Sequence, residues 1–245
     1  MIDDIAHNLK HVQQRIAEAA LRAGRDPHRV TLVAVTKTHP PETVVAAYRA
    51  GLRHIGENRV GEAMSKIPAV RTATSGSELT WHMVGHVQSR KARDVTEYFD
   101  YVHSVDRRKI ARRLSRFSEE VGQTLPVLLE CNVSGEESKY GFDLQGWEQD
   151  QARREAFFAA VEEILALPGL AVRGLMTMAP FVADPETVRP VFVSLRTLLD
   201  ALRERFPDHE WRHLSMGMTD DFEVAVEEGA TMVRIGRAIF GPRSY

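Results

Sequence analysis

The sequence predicts an α/β protein folded as a single (β/α)8 TIM barrel spanning residues 1–245, with one extra helix ahead of the first strand. Three observations point there. Eight short runs rich in β-branched and apolar residues are separated by segments of helical periodicity, the pattern of parallel strands joined by crossover helices. The length of 245 residues suits one such barrel. No Gly-x-Gly-x-x-Gly follows the first strand, which counts against an open dinucleotide-binding sheet, the structural alternative. Nothing in the chain reads as a linker, repeat or low-complexity segment.

The elements follow in order. Ile2, Ile5, Leu9, Val12 and Ile16 have three-four spacing, so the first segment is an amphipathic helix ending near Gly24. Val30 to Thr38 is a continuous apolar run, as expected of a strand buried on both faces, and it ends in Lys37. Pro41 opens the next helix, since a first-turn N–H has no intrahelical partner to lose; the helix runs from Glu42 to Ala50 and stops at Gly51. His54 to Asn58 is a second strand, Val60 to Val70 a helix, and Ser75-Gly76-Ser77 a break. Thr80 to Val87 is the third strand and Ser89 to Phe99 its helix. Tyr101 to Val105 leads into a helix from Arg107 to Val121. Leu125 to Val133 is the fifth strand, followed by a polar loop over Ser134 to Gly141 and a helix from Glu148 to Leu167. Leu170 to Met178 is the sixth strand and Pro185 to Phe206 its helix, with Pro190 confined to the first turns because an interior proline costs about 3 kcal/mol. Glu210 to Met216, a short helix from Asp221 to Glu228, and Thr231 to Ile235 complete the set.

Composition narrows the function. Net charge is −2 and hydrophobic residues make up 43 %, so nothing global argues for nucleic acid. The single cysteine, Cys131, excludes an intrachain disulfide and fits a reducing compartment. The acidic start, Met1-Ile2-Asp3-Asp4, lacks a secretory signature, and no apolar run approaches the ~20 residues that span a bilayer. The expectation is a cytoplasmic protein with no membrane or nucleic-acid partner.

In a barrel the carboxyl ends of the strands converge on one mouth, where such folds place their chemistry. Here those ends carry Lys37, Asn58, His86, Asp106, Asn132, Met178, Ser215 and Arg234. A lysine desolvated at a strand end can attack an aldehyde as the neutral amine. Ser215 and Gly217 in Leu214-Ser215-Met216-Gly217-Met218, and Gly236 after Arg234, sit in the last two loops, where barrels often bind phosphate. A Schiff-base lysine, a phosphate cup and a cation in one mouth suggest a pyridoxal 5′-phosphate (PLP) site.

Ala34-Val35-Thr36-Lys37, Gly56-Glu57-Asn58, Trp81-His82-Met83-Val84-Gly85 and Val102-His103-Ser104-Val105-Asp106 carry a resemblance. So do Ser138-Lys139-Tyr140-Gly141, Leu214-Ser215-Met216-Gly217-Met218 and Val233-Arg234-Ile235-Gly236-Arg237-Ala238-Ile239-Phe240-Gly241. Over nearly its whole length the chain resembles the pyridoxal phosphate homeostasis proteins, a family similar to the barrel domain of alanine racemase. The resemblance implies that Lys37 holds PLP as a Schiff base and that Asn58 sits near its ring. It implies that Ser215, Gly217 and Gly236 hold the phosphate and that Arg234 faces the pyridine nitrogen. Relatives commonly carry a proline after the glycine of the third strand and an asparagine before a lysine; this chain has His86 and Arg90. An arginine only donates, so the pyridine nitrogen beside it stays unprotonated and the ring is a poor electron sink. With little chain after the eighth strand for a second domain, the expectation is a monomeric cofactor carrier in PLP homeostasis. It has no catalytic residues and no robust turnover, and PLP-dependent apoenzymes are its recipients.

Two enzyme readings compete: a PLP-dependent racemase-like enzyme of the same fold, and a metal-dependent barrel hydrolase built on His82, His86, His103, His213 and Asp106. No His-x-His or His-Glu-x-x-His supports the second, so the expectation is no metal. Arg107, Arg108, Lys109, Arg112, Arg113 and Arg116, with Arg90, Lys91 and Arg93, read as a solvated outer helix face, since no aromatics interleave them. Lys139 reads as solvated, and Met176, Met178, Met216 and Met218 as barrel filling.

Overall fold

Strands buried on both faces need helices outside and side chains inside, and the chain supplies both. The computed structural model describes residues 2–76 and 78–241. Its strands are β1 Thr31–Val35, β2 His54–Glu57, β3 Thr80–Met83, β4 Tyr101–Val105, β5 Leu125–Asn132, β6 Phe142–Asp143, β7 Leu170–Met176, β8 His213–Ser215 and β9 Met232–Ile235. Its helices are α1 Ile2–Arg22, α2 Pro41–Arg49, α3 Val60–Ala73, α4 Ala92–Tyr98, α5 Arg108–Glu120, α6 Gln151–Leu165, α7 Arg189–Arg205, α8 Phe222–Glu227 and α9 Arg237–Phe240. The hydrogen-bonded order is β1-β2-β3-β4-β5-β7-β8-β9 and back to β1, every pair parallel. This is a closed eight-stranded (β/α)8 barrel.

The extra helix is α1. Its apolar stripe, Ile5, Leu9, Val12 and Ile16, is buried, and Asn8 Nδ2 donates to the Ile239 carbonyl at 3.1 Å. Arg15 pairs with Glu223 on α8 at 2.9 Å, so the helix clasps the outer face where the barrel closes. Inside, Tyr101, Leu128, Met176 and Met232 form a small apolar plug.

Several boundaries differ from the sequence expectation. The third strand ends at Met83 rather than Val87, the sixth at Met176 rather than Met178, and the seventh starts at His213 rather than Glu210. Apolarity outlasts the hydrogen-bond ladder there, because residues just past a strand still face the mouth or the core. Val84 and Val87 are buried without belonging to β3. No sequence pattern marks β6, a two-residue strand beside Cys131 and Asn132 of β5, or the single-turn helix α9. Met1, Ser77 and the side chains of Ile2 and Asp3 lie outside the described residues. Among the described residues no helix is long and apolar enough to cross a membrane. The basic run on and before α5 is largely paired. Arg108 and Arg112 meet Glu163 of α6, Arg93 and Arg116 meet Glu120, and Arg107 meets Asp106.

Candidate functional site

A cleft of about 530 Å³ opens at the carboxyl ends of the strands. Lys37, Asn58, Arg234 and Gly236 all line it, together with the apolar side chains Val84 and Met178. Lys37 lies two residues past β1, half-buried, in a turn whose next residue, Thr38, has φ 69°. A left-handed threonine is uncommon and needs outside support. That support is a buried cluster. Lys66 of α3, 3 % exposed, donates to Glu57 Oε1 at 2.7 Å, Glu62 Oε1 at 2.6 Å and the Thr36 carbonyl at 2.8 Å. Thr36 Oγ1 donates to Glu57 at 2.6 Å, and the Thr38 N–H donates to Glu62 at 2.6 Å. Burial pushes the Glu57 carboxyl above its usual range even with Lys66 beside it. The residues on both sides of Lys37 are thus tied to α3.

On the far side, Arg234 is 5 % exposed; its Nη1 donates to Ser215 Oγ at 2.6 Å and its Nη2 to the Thr177 carbonyl at 2.8 Å. Burial lowers its pKa to about 10, opposed by the charges of Asp221 and Glu130, so the guanidinium is protonated at neutral pH. Glu130 is 2 % exposed, and burial with the nearby Asp106 charge raises its carboxyl to about 7.

Ser215 and Gly217, expected at the phosphate, are not among the residues that line this cleft. Both are buried behind the cleft, the Ser215 hydroxyl between Arg234 and His103 Nδ1, which lies at 2.8 Å. Gly217 has φ 93°, and a Cβ there would come within 2.6 Å of Ala225 Cβ on α8. It lets the loop after β8 lie flat on that helix. The same loop puts Met218, Thr219 and Asp220 into the cleft wall, its turn closed by the Met218 N–H on Asp221 Oδ1 at 2.5 Å. Thr219 is a residue sequence reasoning missed, and nothing distinguishes it from an ordinary turn threonine. At Gly236 a Cβ would sit 3.0 Å from the Val35 carbonyl, so the rim closes tightly between β9 and β1. Arg237, also lining, pairs with Asp220 at 2.6 Å. Met178 packs against the interior plug and also lines the cleft; Met218 and Phe181, 79 % exposed, line it too.

Of the histidines weighed as a metal centre, His86 lies past β3, bound to Asp106 at 2.9 Å and stacked on Tyr140 at 3.9 Å. His82 and His103 are inside the barrel and hydrogen-bonded to each other, so their nitrogens do not converge on a common point. Lys139 is half-buried near Glu136, at 3.7 Å.

Fold and mouth together define a parallel barrel whose open cleft is lined by a rim lysine and a buried guanidinium. A family model described as alanine racemase, N-terminal domain, matches residues 2–244. The pyridoxal phosphate homeostasis protein of Escherichia coli K12 is 42 % identical over 248 residues, covering 100 % of this chain and 99 % of that one. That of Pseudomonas aeruginosa is 44 % identical over 241 residues, covering 98 % and 96 %. PipY of Synechococcus elongatus, solved with PLP bound, is 36 % identical with a TM-score of 0.77, covering 94 % of this chain and 100 % of that one. Alanine racemase of Corynebacterium glutamicum shares the fold at 18 % identity and a TM-score of 0.70, this chain covering 62 % of it. The chain belongs to the pyridoxal phosphate homeostasis proteins, within the alanine racemase N-terminal-domain family.

Proposed function

We propose that this protein binds PLP in the cleft at the carboxyl end of the barrel and serves intracellular PLP homeostasis, carrying the cofactor without robust turnover of a substrate. The observation that carries the reading is that Lys37 and Arg234 line one cleft. The residues fit the group. Lys37 lines the cleft together with the apolar side chains of Val84 and Met178, and Gly236 adds no side-chain bulk where the rim closes. When bound, PLP supplies an aldehyde for reversible Schiff-base formation at Lys37. Thr219 and the backbone N–H groups at the start of α9, which have no intrahelical acceptors, hold its phosphate. Gly217 acts indirectly by letting that loop approach, and Ser215 acts by holding Arg234. Asn58 borders the ring.

Arg234 argues against robust catalysis. A protonated guanidinium has only hydrogens to offer, so a pyridine nitrogen against it accepts a hydrogen bond and gains no proton. The strong electron sink that carbanion chemistry needs is then lacking. Cofactor held this way is suited to release, and PLP-dependent apoenzymes are the recipients by this reading. The protein acts as a monomer in the cytoplasm.

Borohydride reduction of the PLP-treated protein, followed by peptide mass analysis, tests the anchor. A single reduced pyridoxyl group on the peptide carrying Lys37 is expected, and none in Lys37→Ala. Labelling spread over surface lysines, or racemisation of alanine at ordinary enzyme rates, would overturn the reading.

A further inference from the structure

The proposed function leaves the buried histidines of the barrel interior unused. They form a continuous row. His54 Nδ1 on β2 lies 3.0 Å from His82 Nε2 on β3; His82 Nδ1 lies 2.9 Å from His103 Nε2 on β4; His103 Nδ1 lies 2.8 Å from Ser215 Oγ on β8. Ser215 Oγ in turn accepts from Arg234 Nη1 on β9 at 2.6 Å. The row starts at the amino end of β2, where His54 is half-buried and borders a second cleft of about 470 Å³, and finishes in the cofactor mouth. His82 and His103 are 1 % and 0 % exposed.

Charge sets the direction of this row. Arg234 is a buried cation whose hydrogen-bond partners, a hydroxyl and a carbonyl, are neutral. A buried cation needs dipoles turned toward it. Ser215 Oγ, already accepting from Arg234, satisfies its own proton by donating to His103 Nδ1. His103 then carries its proton on Nε2 and donates to His82 Nδ1, and His82 on Nε2 donates to His54 Nδ1. In the reverse arrangement each N–H would point at the guanidinium. The other charged or titratable groups acting on the row are His213 on β8 and, on His213 in turn, Arg173 of β7 and Arg212 before β8; Tyr101 stacks on His82 at 5.4 Å. Burial first, and the cationic groups after it, disfavour a further proton on the row, so the imidazoles stay neutral.

We propose that His103, backed by His82 and His54, is a positioning residue for Arg234: the three imidazoles form a one-way hydrogen-bond relay that holds Ser215 and the guanidinium against the cofactor without adding a negative charge to its hydrogen-bond partners. The proposal rests on the PLP reading given above, and it deepens it. A carboxylate in place of the relay would neutralise the cation that faces the pyridine nitrogen; neutral imidazoles fix its geometry and keep its charge.

The test has two arms. In the protein without cofactor, 15N chemical shifts of labelled histidine read the tautomers: His82 and His103 are expected neutral with the proton on Nε2, and a proton on Nδ1 at either would overturn the relay. In the PLP-loaded protein, His103→Leu and Ser215→Ala are expected to raise the cofactor release rate about tenfold, the loss of one well-made hydrogen bond to a charged group. Both are expected to shift its absorbance band. His103→Asn, whose carboxamide oxygen can replace Nδ1 as acceptor, is expected to restore both readouts. Wild-type release rate and band in Ser215→Ala and His103→Leu would overturn the proposal. If wild-type protein takes up no PLP, only the parent reading fails, and the tautomers still decide the relay.

Discussion

At the scale of single residues the site depends on a few buried charges and the groups that answer them. Lys66 is the clearest case, since its ammonium answers Glu57, which is 0 % exposed. Lys66→Met leaves that carboxylate uncompensated and should cost about 3–5 kcal/mol in urea unfolding. It should also loosen the turn that carries Lys37; an unchanged midpoint would refute the role given to the cluster. The interior histidines make a second prediction. Burial lowers His82 to about 3 and His103 well below its ordinary value, so the unfolded chain binds their protons first as pH falls. The His82 contribution is fully present above about 6.5, the unfolded value, and is lost progressively down to about pH 3, at about 1.4 kcal/mol per pH unit. His82→Leu should therefore flatten the fall of unfolding free energy between pH 6.5 and 4, and a slope equal to wild type would contradict the assignment. Sequence reading reached Lys37, Asn58, Arg234 and Gly236 because strand-end position alone marks the mouth. It missed the row and the true setting of Ser215, since partners 28, 21 and 112 residues apart leave no local pattern.

At the scale of elements, loops after β8 and β9 shape the cleft because glycine lets them pack closely. Gly217→Ala combines a positive φ with a Cβ 2.6 Å from Ala225. It should destabilise the fold by about 1–3 kcal/mol and weaken PLP binding together, measured by denaturation and by dialysis. Loss of stability with binding unchanged would separate the loop from the cofactor. Strands and long helices were legible because burial on both faces writes apolar runs and the 3.6-residue period is strong over more than ten residues. The two-residue β6 and four-residue α9 are too short for any period to register. Strand ends overran by up to four residues, as at Val84 to Val87, since the mouth of a barrel is itself lined with apolar side chains.

At the scale of the whole molecule, closure of the sheet between β4 and β5 and between β1 and β9 joins the two ends of the chain into one ladder. We propose that residues 1–245 are a single domain that melts in one cooperative step. Calorimetric and van't Hoff enthalpies should agree, and two resolved transitions would refute it. PLP at a hundred times its dissociation constant should add about 2.7 kcal/mol and raise the melting temperature by about 5–10 °C in wild type but little in Lys37→Ala. An equal rise in both would mean the amine is not the anchor. A crystal soaked with PLP decides whether one cofactor spans this one mouth. Continuous density is expected from Lys37 Nζ to the cofactor, with the pyridine nitrogen against Arg234 and the phosphate between residues 218–220 and the start of α9. Density for the cofactor anywhere else, or a Lys37 side chain turned away from it, would rule this placement out.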